Sequence, residues 1–356
     1  MDKRIEKIAK LLIEHSVKVK KGQTILISAD IIAKPLILEL YKQIIQKGAY
    51  PRLNVGIDGL APIYYNYSSD EQLKHFPEIA WFEAKSCAAH IMISAPKNRY
   101  ELKDTDPRKI SLRSKIVNKL HFETQQKPWV GFDYPTEAYA KDAGMSLKEY
   151  TDFVFNACLI DWKKAYNKML DLKRILDKGD KVRIRGKNTD ITFSIKGRNA
   201  VIGSGEYNMP DGEVFTAPKE ETVNGYITFT YPAIISGNVV PDVFAEFRNG
   251  KLVRLRAGKN LDKLKAKLAT DKNAANLGEL GIGTNYKIPR FTKNLLFDEK
   301  IGGTIHLAFG LAYKKCKGTN KSASHQDIVK DLRPKFGGGE VWVDDKLLIK
   351  DGKFMV

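Results

Sequence analysis

The stretch KVRIRGKNTDITFSIKGR, residues 181–198, decides how this chain divides. Apolar and polar residues alternate along it, with a turn signal at Asn188, and that period of two belongs to β-hairpins half-buried on one face. The same texture continues in YITFTYPAII (226–235), in VFAEFRNGKLVRLRAG (243–258, turning at Asn249-Gly250 and Gly258) and in the closing GGGEVWVDDKLLIKDGKFMV, whose Asp351-Gly352 is a hairpin signal. One helix interrupts it, at Leu261 to Thr270.

Upstream the period is different. Residues 3–16 pattern as an amphipathic helix, TILISA (24–29) as a buried strand, Lys34 to Lys47 as a helix ended by Gly48, and YPRLNVGI (50–57) as a second strand. A helix around Asp70 to Glu78 precedes the apolar run AAHIMISA (88–95), WVGFDYP (129–135) supplies another strand, and a long helical stretch from Ser146 to Lys178 ends at Gly179. Strands alternating with helices argue for a parallel sheet covered by helices. The expected fold class is therefore α/β: a doubly wound parallel-sheet domain over residues 1–179, then a mixed, largely antiparallel α+β domain over 180–356.

At 356 residues the chain is long enough for two cores. No run approaches the roughly 18 apolar residues of a membrane span, and the richest, IIAKPLILEL, is broken by Lys34 and Pro35. The N-terminus lacks the apolar core of a secretory signal, so the expected compartment is the cytoplasm. Three widely spaced cysteines suit neither a disulfide framework nor a cysteine-rich zinc module, so a bound metal would be held by nitrogen and oxygen. The net charge of +18 rests on 46 Lys against 14 Arg, spread along the chain rather than gathered into an arginine and aromatic stripe. That distribution argues against dedicated nucleic-acid binding. The glycine clusters GELGIG (278–283) and GTNKS lack the order of nucleotide-binding loops.

Two of only six histidines fall in one short segment, His306 in GTIHLAFG and His325 in SHQD. Thr304, His306 and Ala308 would share one face of a strand. Taken alone, His306 fits a hydrogen-bonded interior histidine better than a ligand. His325 and Asp327 would converge on one ion if extended; the alternative is a polar loop in which Asp327 caps a helix begun by IVKDL. Glu213 (NMPDGEVFTAP), Glu279 (NLGELGIGTN) and Glu299 (LFDEKIGGTIH) lie in glycine-flanked apolar surroundings where an unpaired carboxylate is costly; each also reads as a surface-turn residue. Glu206, Asp211, Lys219, Glu220 and Asp298, close by in sequence, read as merely solvated. Four carboxylates (Glu213, Glu279, Glu299, Asp327) would balance two divalent cations and leave two neutral imidazoles as further ligands. That balance suits a two-metal hydrolytic centre.

The series GEVFTAP, LGELGIGTN, DEKIGGTIHLAFG and NKSASHQD, in that order, resembles the aminopeptidase T family of metallo-aminopeptidases, the thermophilic or PepS-type aminopeptidases. YPTEAYAKDAGMSLKEY (134–150) resembles its N-terminal half, so the likeness spans almost the whole chain. The resemblance implies that Glu213, Glu279, Glu299, His306, His325 and Asp327 bind two divalent ions (zinc, cobalt or magnesium). It also implies that Glu279 is the bridging or catalytic carboxylate and that Tyr313, seven residues after His306, assists catalysis. It further implies peptide substrates with a free N-terminus and a homodimer; no membrane partner is expected, since no run is long and apolar enough to span one. Gln326 between His325 and Asp327, and the short basic KKCKGTNKSAS after Tyr313, depart from the family pattern and bear on side-chain preference. Another metallohydrolase, an amidase or phosphoesterase, is the alternative reading, and a basic nucleic-acid-binding protein a more distant one.

Overall fold

The computed structural model describes residues 2–235 and 237–356. The chain forms two compact units: Met1–Leu159 with Gly205–Pro210, and Ile160–Ser204 with Asp211–Val356.

The first unit is built on a five-stranded, all-parallel sheet in the order Tyr50–Gly56, Thr24–Asp30, Ala89–Ser94, Trp129–Asp133, Asn208–Met209. Helices make the crossovers, and their ends follow local chemistry. Ser69 and Ser146 each close a capping box, with Gln72 and with Glu149, and Gly48 sits at φ +70° after the helix Lys34–Gln46. The helix expected around Asp70 to Glu78 is two helices, Asp70–Lys74 and Glu78–Ser86, separated at Pro77. The N-terminal helix Lys3–Leu11 widens into a π-helical turn over Leu12–Ser16.

The long helical stretch before residue 180 is likewise two helices, Leu147–Cys158 and Trp162–Lys178, because Asp161 caps the second by accepting from the Lys164 amide. Met169, Leu172 and Leu176 of that second helix bury into the core of the second unit. The units therefore part at Leu159/Ile160, ahead of the change in sequence texture, and the short return at 205–210 adds the fifth parallel strand.

Among the described residues the second unit contains a two-stranded antiparallel ribbon, Ala233–Ile235 with Asn238–Val240, and two more extensive antiparallel sheets. The larger runs Lys251–Arg256, Phe244–Arg248, Asn224–Thr228, Thr189–Ser194, Lys181–Gly186, Gly339–Val343, Lys346–Lys350, Lys353–Phe354. Its tight turns lie where the sequence signals them, with Asn188, Asn249 and Asp351 all at positive φ. The smaller sheet runs His325–Asp331, Thr304–Gly310, Leu277–Gly283, Glu213–Thr216, Val201–Gly203. Val182, Ile184, Ile191 and Phe193 of the larger sheet share one core with Val214, Leu280, Ile282, Leu307, Phe309 and Ile328 of the smaller. Because side chains alternate along a strand, the residues between these, Glu213, Glu279, His306 and Asp327, go to the other face of the smaller sheet.

Candidate metal centre

Strand register assembles the polar residues. Glu279 pairs with Ala308 and Ala308 with Asp327; Gly281 pairs with His306; Gly283 pairs with Glu213; Gly310 pairs with His325. Directly opposed residues in an antiparallel sheet share a face. SHQD is thus extended, and IVKDL continues the strand His325–Asp331 instead of starting a helix. Glu299 follows the one-turn helix Leu295–Asp298, and the turn after it leads into the His306 strand.

His306 is the hub. Its Nε2 lies 3.2 Å from a Glu279 oxygen, 3.4 Å from Glu213 and 4.0 Å from Asp327. His325 Nε2 is 3.4 Å from Asp327, and its Nδ1 donates to the Leu311 carbonyl at 2.9 Å. A carbonyl only accepts, so Nδ1 carries the proton and Nε2 keeps its lone pair for the centre when the ring is neutral. The Tyr313 ring stands 5.0 Å from the His325 ring and edge-on to Phe215.

All six residues expected as ligands come together, in three overlapping groups: Glu213, Glu279 and His306; Glu279, His325 and Asp327; Glu299, His306 and Asp327. Glu279 is common to the first two. Buried and without any hydrogen-bond partner are Glu213 Oε2, Glu279 Oε2, Asp327 Oδ1 and His306 Nδ1. Three buried carboxylate oxygens without a hydrogen bond are costly unless a cation meets them. The oxygen and nitrogen donor set fits divalent ions.

The titration behaviour follows from that crowding. Burial raises the carboxyl groups of Glu213 and Glu279 above their usual range. Burial opposes charge on His306, but the Glu279 hydrogen bond and the Glu213 and Asp327 charges outweigh it and raise the imidazole to about 9. For His325, burial is likewise overcome, chiefly by Asp327, and the ring rises to about 10. Asp327, despite burial, is held low by His325. Tyr313 is pushed up by burial and then by the surrounding carboxylates, so its hydroxyl stays a proton donor at neutral pH.

Two residues that the sequence reading passed over belong to this place. Lys300 is fully buried; its ammonium pairs with Glu213 at 3.2 Å and, more closely still, with Glu299. A lysine beside a candidate ligand in apolar, glycine-rich surroundings was the available signal. Gly281 lies under His306: a Cβ there would come within 1.9 Å of the ring Nε2. The spacing Glu279, Gly281, Gly283 puts one carboxylate and two bare positions on one strand face, which is the pattern of a strand leaving room for something. Asp211 and Asp298, read as solvated, are buried instead. Asp298 accepts from both the amide and hydroxyl of Thr292, and burial raises its carboxyl to about 8.

A dense donor cluster on a buried sheet face is a metallohydrolase class of site. Residues 1–354 match the thermophilic metalloprotease family, M29, and the chain belongs to that family of metallo-aminopeptidases. It is 25% identical to Aminopeptidase 2 of Geobacillus stearothermophilus, over 99% of this chain and 95% of the relative. It is 26% identical to Aminopeptidase T of Thermus thermophilus, over 91% of each. The solved structure of wild-type AmpT from Thermus thermophilus superposes with a TM-score of 0.86 at 22% identity, covering 99% of both chains, and has the same fold.

Proposed function

We propose that this enzyme removes the N-terminal residue from peptides, with two divalent metal ions as cofactors held by Glu213, Glu279, Glu299, His306, His325 and Asp327. The observation that carries the reading is the convergence of these four carboxylates and two imidazoles with three buried carboxylate oxygens left without hydrogen bonds. One ion position would draw on Glu213, Glu279 and His306, the other on Glu279, His325 and Asp327, while Glu299 is within reach of His306 and Asp327. When bound, such ions polarise a carbonyl oxygen and lower the pKa of water toward about 7.

The chain's own groups supply the remainder. Glu279 receives the proton of the attacking water and delivers it to the leaving amine, using the buried carboxylate oxygen that no hydrogen bond occupies. Tyr313, protonated at neutral pH, donates to the oxyanion of the tetrahedral intermediate. A free α-amine offers a lone pair to an ion or a cation to a single carboxylate, and an N-acylated peptide loses that anchor. Peptides as substrates, a homodimer and a cytoplasmic setting complete the reading, supported by the family resemblance. Among the described residues no helix is long and apolar enough to cross a membrane.

The test is hydrolysis of leucine p-nitroanilide before and after chelation, with zinc, cobalt or magnesium returned, beside the N-acetylated anilide. Activity lost on chelation, restored by metal and confined to the free amine is the expected result; turnover indifferent to chelation overturns the proposal. Glu279→Gln should lower kcat by about 100-fold or more, the usual weight of a positioned acid–base group. Unchanged kcat in that variant removes Glu279 from the mechanism.

A further inference from the structure

The buried ammonium of Lys300 has no part in the reaction outlined above. Yet its ion pairs go to Glu213 and to Glu299, which also lies within reach of His306 and Asp327, while among the described residues no ion pair joins it to the Glu279, His325 and Asp327 donor group. Its backbone is pinned as well. The Lys300 amide donates to the Phe297 carbonyl at 3.0 Å, and its own carbonyl accepts from the Asn285 amide at 3.0 Å, so the side chain is delivered into the cluster by a fixed turn. With no exposed surface, the ammonium has no solvent alternative to these two carboxylates.

We infer that Lys300 is a built-in cation of the centre, and that it makes the metal position on Glu213 the weak, exchangeable one and the Glu279–His325–Asp327 position the tight one. The inference rests on the metal-centre reading and refines it. With both imidazoles deprotonated to bind metal, four carboxylates offset by one ammonium present three negative charges to incoming ions. The first divalent ion leaves one negative charge, and a second drives the pocket to net positive. The second ion must also share Glu213 with the ammonium already 3.2 Å from it, which drains donor strength from that carboxylate. A charge within ~4–6 Å changes proton affinity by about one to three decades, and a divalent cation feels the same field with more charge. The gap between the two metal affinities is therefore set at about 10- to 1000-fold.

The experiment is a calorimetric titration of the metal-free enzyme with Zn²⁺, with metal content measured after dialysis, on the wild type and on Lys300→Met, which keeps the length and removes the charge. The wild type should hold one ion through dialysis and bind a second about 10- to 1000-fold more weakly, and Lys300→Met should tighten the second step by a similar factor while leaving the first in place. Two ions of equal affinity in the wild type, an unchanged gap in Lys300→Met, or loss of the second ion in that variant each overturn the inference while leaving the metal centre standing. Should Lys300→Met not fold, Glu213→Gln and Asp327→Asn decide: Glu213→Gln should abolish only the weak step and Asp327→Asn the tight one, and the reverse pattern overturns it. No bound Zn²⁺ in the wild type overturns the metal-centre reading itself.

Discussion

Tyr313 is the half-exposed member of the site, its ring against His325 and Phe215 and its hydroxyl kept protonated by burial and by the carboxylates around it. If it donates to the oxyanion, that bond strengthens only as charge develops. Tyr313→Phe should therefore lower kcat by about 100- to 1000-fold with KM nearly unchanged, as for other single oxyanion donors. Steady-state kinetics on a leucine anilide with the metal content checked would decide, and an equal loss confined to KM would assign Tyr313 to ground-state binding. The basic residues Lys314, Lys315 and Lys317 follow it immediately, and comparing acidic with neutral N-terminal residues would measure their influence on choice of substrate.

At the scale of elements, the smaller sheet of the second unit is what turns Glu213, Glu279, His306, His325 and Asp327 into neighbours, and the turn after Leu295–Asp298 adds Glu299. The sheet's inner face is apolar and its outer face polar, and both are buried: every residue of Leu277–Gly283 and Thr304–Gly310 is shielded from solvent. The pairing of Gly281 with His306 is the tightest constraint in it. Gly281→Ala would put a methyl where the imidazole lies, so the ring must turn out of the cluster or the strands must part. Either way the centre loses its hub, and we expect at least a tenfold weaker metal affinity, about one lost ligand's worth in the range of metal-site substitutions. A calorimetric titration of this variant with wild-type affinity would show that His306 is not needed for the ion.

For the whole molecule, the large positive charge is mostly solvated lysine, but Lys330 is an exception with a consequence for stability. It points from the His325 strand toward the larger sheet of the same unit and donates to the Lys187 carbonyl at 2.8 Å. Burial, aided by the Lys187 charge, lowers it from 10.5 to about 8. Between those two values the unfolded chain binds the proton and the folded chain does not, so this group's contribution to stability rises with pH across that window and is lost as pH falls through about 8. Denaturation midpoints at pH 7 and 9.5 should show the wild type gaining relative to Lys330→Met at the higher pH. Parallel shifts in both proteins would remove Lys330 as the cause.

Local chemistry made much of this legible before any coordinates. The period-two texture after residue 180, the Asn-Gly and Asp-Gly turns and the βα alternation upstream each express a short-range rule, and the elements follow them. The donor types were legible for the same reason, since Glu, His and Asp in apolar, glycine-flanked segments are conspicuous by their desolvation cost. Where one helix gives way to the next was less so, because Asp161 as a cap looks like any surface aspartate until the chain departs there. What only the tertiary structure decided is which carboxylates meet. Asp298 and Glu299 are adjacent in sequence, yet one is spent on Thr292 and the other faces the cluster with Lys300. That choice depends on strand register and on the turn that enters the His306 strand, contacts between residues far apart in the chain, and no local pattern encodes them.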